Sequence, residues 1–191
     1  RMLQAYLGTP DGQVPTPTSA LVTGYDFLAD AAYSIRDELE AGIGPSGRMD
    51  SLISPAHISP QDREGVPPEE AAWTADMLSS SLFAGEHDLV FLAGHFSAYT
   101  ALAADYETRL LASDLAASTV DLENSIVFSA GCHSAYNLVN EHGIPKLTVH
   151  PDWTQAFARK GATFLGGTGY QYGDTDFKKY GERLYHEFSK Q

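Results

Sequence analysis

Cysteine is almost missing from this chain: Cys132 is the single one among 191 residues. One cysteine excludes an intrachain disulfide and any zinc site built from cysteines. Long apolar runs are missing as well. No stretch approaches the ~20 residues that cross a bilayer, so no membrane insertion is expected. Positive charge is scarce, with 12 Lys and Arg against 25 Asp and Glu and a net charge of −13. An acidic surface disfavours nucleic acid and anionic membranes, both polyanions, and favours substrates that carry Lys or Arg. Internal repeats, low-complexity segments and a visible signal peptide are absent. The start at Arg1 rather than methionine leaves the compartment, the full-length context and the oligomeric state open. The glycine-rich run Gly166-Gly167-Thr168-Gly169 lacks both the GxGxxG pattern and the Walker lysine.

What is present reads as one globular domain. Apolar residues make up 43% and charged residues 19%, enough to build a sizeable core. Residues 1–18 read as a tail or the remnant of a preceding subdomain, with an apolar start from Met2 to Leu7 and a turn at Pro10-Asp11-Gly12. From residue 19 to 191 strands and helices alternate. Apolar runs at Ala20–Thr23, Met49–Ile53, Leu89–Ala93, Ser125–Ser129 and Ala162–Leu165 have strand length. Helical stripes fall on Phe27, Leu28, Ala31, Ile35 and Leu39; on Trp73, Met77, Leu78 and Leu82, with a start near Pro68-Glu69-Glu70; on 153–159; and on Phe177, Tyr180, Leu184 and Phe188. Residues 99–117 read as irregular to helical. Strands apolar on both faces and separated by helices signal an α/β fold, a parallel sheet covered on both sides.

In such sheets ligands bind beyond the carboxyl ends of the strands. His95 lies two residues past one apolar run and Cys132 three past another. If those strands are neighbours, ~4.8 Å apart, both side chains stand over one rim. An imidazole is the usual means of generating a thiolate, the reactive form of cysteine. Glycine precedes both residues, Gly94 and Gly131, and allows a sharp turn and close approach of a substrate backbone. A helix beginning at Cys132 would add partial positive charge and oxyanion-binding N–H groups. Asp26, just past the first strand, is either the group that orients His95 or simply the cap of the next helix. A lone cysteine is more often a small buried hydrophobe than a nucleophile, so the surroundings decide. His133 reads as structural or substrate-facing, because neighbouring residues point apart. His57, His87, His142, His150 and His186 read as surface residues. The Gly166–Gly169 turn, with Thr168 and continuing to Tyr170, reads as the lining of a pocket. No cofactor is expected; Asp174 and Asp176, with other carboxylates, are the one place for a structural calcium ion, although EF-hand spacing is absent.

The blocks Leu89-Val90-Phe91-Leu92-Ala93-Gly94-His95 and Ile126-Val127-Phe128-Ser129-Ala130-Gly131-Cys132 resemble the gingipain-like cysteine peptidases of the caspase-like clan. The first strand with its acidic turn, and Trp153-Thr154-Gln155-Ala156-Phe157 followed by Gly161-Ala162, match as well, so the resemblance spans residues 19–170. It implies a caspase-like three-layer sandwich, its mostly parallel sheet flanked by helices. It also implies a bacterial protein, secreted or at the cell surface, that acts on peptide or protein substrates. Cys132 is then the nucleophile, His95 the catalytic histidine and Asp26 its orienting carboxylate. The Cys132 and Phe96 N–H groups become the oxyanion donors beside Gly131, and Asp30 the acid that binds a basic P1 side chain. One departure stands out. The clan has glycine after the histidine, whereas Phe96 here retains the N–H but brings an aromatic ring to the substrate path. Two other readings remain open: a non-catalytic caspase-like binding module, and a nucleotide-binding domain built around Gly166–Gly169.

Overall fold

The strand Ser19–Gly24 (β1) is buried along its whole length, a condition met only by a central strand covered on both faces. In the computed structural model, which describes residues 16–54, 72–137, 145–146, 149, 151–173 and 179–191, β1 lies inside a five-stranded sheet. The strand order is β2 (Arg48–Ile53), β1, β3 (Leu89–Leu92), β6 (Ile126–Ser129) and β7 (Thr163–Gly166), every neighbouring pair parallel. The expected strands all form, within a residue or two of their sequence bounds. The Met2–Leu7 start, the turn at residues 10–12, the helix start at residues 68–70, His57, His142, His150, Asp174, Asp176 and Phe177 lie outside the described residues.

The period-two alternation of the strands splits the core into two layers. One face carries Leu21, Val90, Leu92 and Val127 under Trp73, Leu78, Leu82, Leu115, Trp153 and Phe157. These covering residues come from the helices α2 (Ala75–Phe83), α3 (Ala112–Ala117) and α4 (Trp153–Arg159), with Trp73 just ahead of α2. The other face carries Ala20, Val22, Phe91 and Phe128 under Leu28, Ala32, Ile35, Leu39 and Tyr185. Here the cover is α1 (Ala29–Ile43), preceded by a 3-10 turn at Asp26–Leu28, and α5 (Tyr180–Ser189). The result is an α/β fold in three layers with a parallel sheet at its centre. Phe91, Phe128 and Tyr185 pack ring against ring, with Phe91 and Phe128 centroids 5.0 Å apart. Truncating either phenylalanine to alanine removes about 3–5 kcal/mol.

Several expectations need correction. Residues 100–111 contain an antiparallel hairpin, β4 (Thr100–Leu102) and β5 (Arg109–Leu111), where irregular to helical structure was expected. The tip is nucleated by Asp105, whose Oδ1 accepts from the N–H groups of Glu107 and Thr108 at 3.0 and 2.9 Å. In α2, Thr74 caps the start by accepting from the Met77 N–H, and Met77 itself faces solvent. In α5 the buried residues are Glu182 and Tyr185, while Tyr180 and Leu184 are exposed. The apolar count along that helix therefore misses Tyr185, which reaches the sheet as part of the Phe91–Phe128 stack, while Phe188 of the expected stripe does meet the Phe128 ring at 5.2 Å. His87 is not on the surface. It is buried, with Nε2 2.7 Å from Asp50 Oδ2. His186 is paired with Glu38 at 3.3 Å.

Candidate functional site

Strand register sets the geometry of the carboxyl rim. Leu92 pairs with Ser129, so His95 and Cys132, each three residues further on, leave the sheet at the same level on adjacent strands. Val22 pairs with Phe91, so Asp26 and His95, each four residues further on, do the same. Ser129 pairs with Gly166, which brings Gly169 to that level beyond Cys132. Four adjacent strands thus present Asp26, His95, Cys132 and Gly169 in a row, with ~4.8 Å between neighbouring strands.

Asp26 lies at φ 56°, a left-handed conformation that non-glycine residues seldom adopt. It does not cap a helix; the 3-10 turn and α1 both start without a side-chain cap. Its Oδ2 instead stands 3.2 Å from His95 Nε2. With Nε2 engaged, Nδ1 is the ring nitrogen left for chemistry. Three aromatic rings surround the imidazole: Tyr25 at 5.7 Å, Phe27 at 5.8 Å and Tyr106 at 5.9 Å between centroids. The Tyr25 hydroxyl accepts from the His95 N–H at 3.0 Å and donates to the Leu102 carbonyl at 2.7 Å, which fixes the backbone under the histidine. Burial, the largest cause, pushes the Tyr25 phenol well above its ordinary range and keeps it a hydrogen-bond donor. Gly94, at φ 152°, is required here, since a Cβ would fall 2.4 Å from the Tyr25 ring.

The Cys132 sulfur is half-buried and accepts from the Gln171 N–H at 3.4 Å. Among the described residues no hydrogen bond joins it to His95. No helix starts at Cys132; residues 132–135 form a turn, because His133 takes φ 54° and leaves the helical path. The contribution expected from a helix terminus therefore falls away. That turn is braced instead by the segment after β7. The His133 N–H donates to the Gly169 carbonyl at 2.8 Å, the Ala135 N–H to the Gly167 carbonyl at 3.0 Å, and His133 Nδ1 lies 3.1 Å from the Thr168 carbonyl. The Tyr170 ring meets the His133 ring edge-on at 4.7 Å and is largely open to solvent. Thr168, Tyr170 and His133 thus flank Cys132 as one assembly.

Phe96 turns its ring onto Gly131, where any Cβ would fall within 2.3 Å of the ring, and onto Trp153 at 5.9 Å. The ring is part of the core layer, and glycine at 131 is the counterpart of phenylalanine at 96. The backbone of Phe96 forms a non-hydrogen-bonded bridge with Ala101, flanked by the bonds Leu102 N–H to His95 and Ser97 N–H to Thr100. The N–H groups of Phe96 and Cys132 accordingly have no acceptor among the described residues. Asp30 sits in the first turn of α1, where its Oδ1 accepts from the Ala31 N–H at 2.7 Å; no contact among the described residues links it to Cys132.

Sequence reasoning missed Tyr25 as a structural support, Tyr106 and Gln171. Tyr25 borders Asp26 and lies in the apolar-to-acidic turn, so its position carried some signal. Tyr106 and Gln171 reach the site only through the hairpin tip and the post-β7 turn, which leave no local pattern. Among the described residues no group of His, Cys, Asp and Glu is arranged to hold a metal ion, and no helix is long and apolar enough to cross a membrane. No family model, curated protein or solved structure matches the chain.

Proposed function

We propose that the protein is a cysteine endopeptidase that hydrolyses peptide bonds through a Cys132–His95 dyad steadied by Asp26. The observation that carries this reading is the shared register of the three residues on three adjacent strands, with Asp26 bonded to His95. The resemblance of both strand-end blocks to gingipain-like peptidases points the same way. His95 takes the proton from the Cys132 thiol, the resulting thiolate attacks the scissile carbonyl carbon, and the carbonyl oxygen takes the negative charge beside the Phe96 and Cys132 N–H groups. His95 gives a proton to the leaving amine nitrogen as the C–N bond breaks, which leaves an acyl thioester. Water then adds to the thioester carbonyl and passes a proton to His95. The C–S bond breaks, and the carboxylic acid departs. Preference for Arg or Lys at P1 is supported by the net charge of −13 and by the resemblance, while Asp30 has no contact that supports its part in it. The resemblance also argues for a bacterial setting outside the cell or on its surface.

The test is alkylation by iodoacetamide near neutral pH, followed by a panel of peptides with varied P1 residues. Cys132 reacts far faster than free cysteine in the wild type, and the advantage disappears in His95→Ala. Ordinary thiol reactivity in both proteins rejects the dyad and leaves a non-catalytic binding module. Faster cleavage of neutral than of basic P1 substrates rejects the P1 assignment alone.

A further inference from the structure

The segment that follows β7 does more than brace the turn at Cys132. Gln171 meets the sulfur with both of its own backbone groups. Its N–H donates to Cys132 Sγ at 3.4 Å, and the thiol donates back to its carbonyl at 3.8 Å. The two contacts answer differently to loss of the thiol proton. The carbonyl can hold only the protonated thiol. The N–H holds the thiolate as well, and more strongly once the acceptor is charged. What keeps Gln171 in place is its half-buried side chain, which lies against glycines of two separate elements. A Cβ at Gly167, just past β7, would run into Gln171 Nε2, and one at Gly181, in the first turn of α5, would fall 2.9 Å from Oε1. Neither glycine takes a left-handed φ, so the Gln171 side chain, not the backbone, fills the space that a larger residue would need. Two residues on, a Cβ at Gly173 would fall 2.6 Å from the Phe27 ring, and that ring packs on His95. The segment thus touches the thiol at Gln171 and the wall of the histidine at Gly173.

We propose that Gln171 is a positioning residue of the Cys132–His95 site: its side chain, lodged between Gly167 and Gly181, holds its N–H against the Cys132 sulfur. The inference deepens the peptidase reading and rests on it for its consequence, while the contact itself rests on the geometry. When His95 takes the thiol proton, the contact to the Gln171 carbonyl is given up and the N–H stays on the thiolate. The sulfur is thereby kept at one place over the rim while it carries its charge, and the anion gains a donor that free cysteine lacks. Displacing the side chain costs reactivity rather than the fold. The amide is the far end of a flexible chain, so a methyl group at residue 167 pushes it aside instead of moving the backbone.

The experiment has two arms, both on the intact chain. Amide hydrogen exchange followed by NMR compares wild type with Cys132→Ala. Exchange at Gln171 should quicken by roughly three- to tenfold, the equivalent of one hydrogen bond. The His133 and Ala135 N–H groups, bonded to the Gly169 and Gly167 carbonyls, should keep their rates. Iodoacetamide alkylation of Cys132 then compares wild type, Gly167→Ala, Gln171→Ala and the double variant. Each single variant should slow alkylation by roughly the same factor, with its urea midpoint near that of the wild type. In the Gln171→Ala background Gly167→Ala should add little, because no amide is left to displace. Exchange at Gln171 that ignores the loss of the sulfur, wild-type alkylation in Gln171→Ala, or a Gly167→Ala penalty of equal size in both backgrounds overturns the proposal. The exchange arm needs no enhanced nucleophile. Should wild-type Cys132 react no faster than free cysteine, the peptidase reading falls, while exchange still decides whether Gln171 holds the sulfur.

Discussion

Two histidine–aspartate pairs stand on this sheet, and their contrast shows what turns such a pair into a candidate site. His87, ahead of β3 near the amino end, is almost fully buried and lies 2.7 Å from Asp50. Asp50 is shared with Arg48, which also pairs with Glu86, and the Ser125 hydroxyl donates to the His87 carbonyl. These contacts tie β2 to the segment that leads into β3, and that segment to the residue ahead of β6. His95, at the carboxyl end, makes a longer bond of 3.2 Å and keeps 42% of its side chain exposed. Its neighbourhood holds the only thiol and four residues at unusual backbone angles: Asp26, Gly94, Tyr106 and His133. The shorter, better-buried pair is thus the structural one. Openness, a nucleophile at the same register and stored backbone strain distinguish the other.

The sharpest way to break this comparison is to remove each imidazole in turn. His95→Ala should reduce the alkylation advantage of Cys132, and any peptidase activity, by 10²-fold or more, the usual contribution of a positioned acid–base group. Its urea midpoint should stay near that of the wild type. His87→Gln should do the reverse, with reactivity unchanged and about 1–3 kcal/mol of stability lost because Asp50 is left with a vacant acceptor in a half-buried place. Urea unfolding with a constant slope measures the second effect. Equal loss of reactivity in both variants would erase the distinction between the two pairs.

A smaller effect is expected from Gly131→Ala. The new methyl would overlap the Phe96 ring, which is wedged between residue 131 and Trp153. Overpacking of this kind costs about 1–3 kcal/mol. Because the Phe96 and Cys132 N–H groups, which have no acceptor among the described residues, flank this contact, reactivity should fall together with stability. A double-mutant cycle with Phe96→Ala isolates the overlap: the Gly131→Ala penalty should shrink in the Phe96→Ala background, and an unchanged penalty would show that the constraint at 131 is the backbone rather than the ring.

The parallel sheet, both buried faces and the placement of His95 and Cys132 on adjacent strands were legible in the sequence, because apolar runs and strand-end glycines are local signals. The Asp26–His95 bond was legible only as one of two options, since an acidic residue ahead of a helix serves equally well as a cap. Phe96 looked like an obstacle to substrate because its partner, Gly131, lies on another strand. The hairpin at residues 100–111 escaped notice because each strand has only three residues, and its stability comes from the buried Asp105 and Trp73 rather than from β-propensity. The buried stripe of α5 was misread for the same reason: Tyr185 is selected by Phe91 and Phe128, residues far away in the chain.

The mildest expected effect concerns acid, and it separates the two ends of the sheet once more. At the amino end, partial burial pushes the Asp88 carboxyl up, but bonds from the Thr18 N–H, the Ser19 and Thr18 hydroxyls and the Ser19 N–H outweigh it and hold the group below its usual range. Asp50 is likewise held below that range: burial raises it, while its bonds to His87 and Arg48 outweigh the rise. A carboxyl lowered by folding binds protons less readily in the native state than in the unfolded chain. Its contribution is therefore fully present above the unfolded value of about 3.9 and is lost as pH falls through the lower, folded value. Both groups are only partly buried, so solvent screening limits each to at most about 1 kcal/mol. Thermal unfolding of wild type between pH 7 and pH 2.5 should accordingly show a loss of stability concentrated below pH 4, and Asp88→Asn should flatten that limb while leaving the alkylation rate of Cys132 at neutral pH unchanged. An acid limb identical in the two proteins would mean that the bonds gathered by Asp88 at the start of β1 do no more for the folded state than water does for the unfolded one.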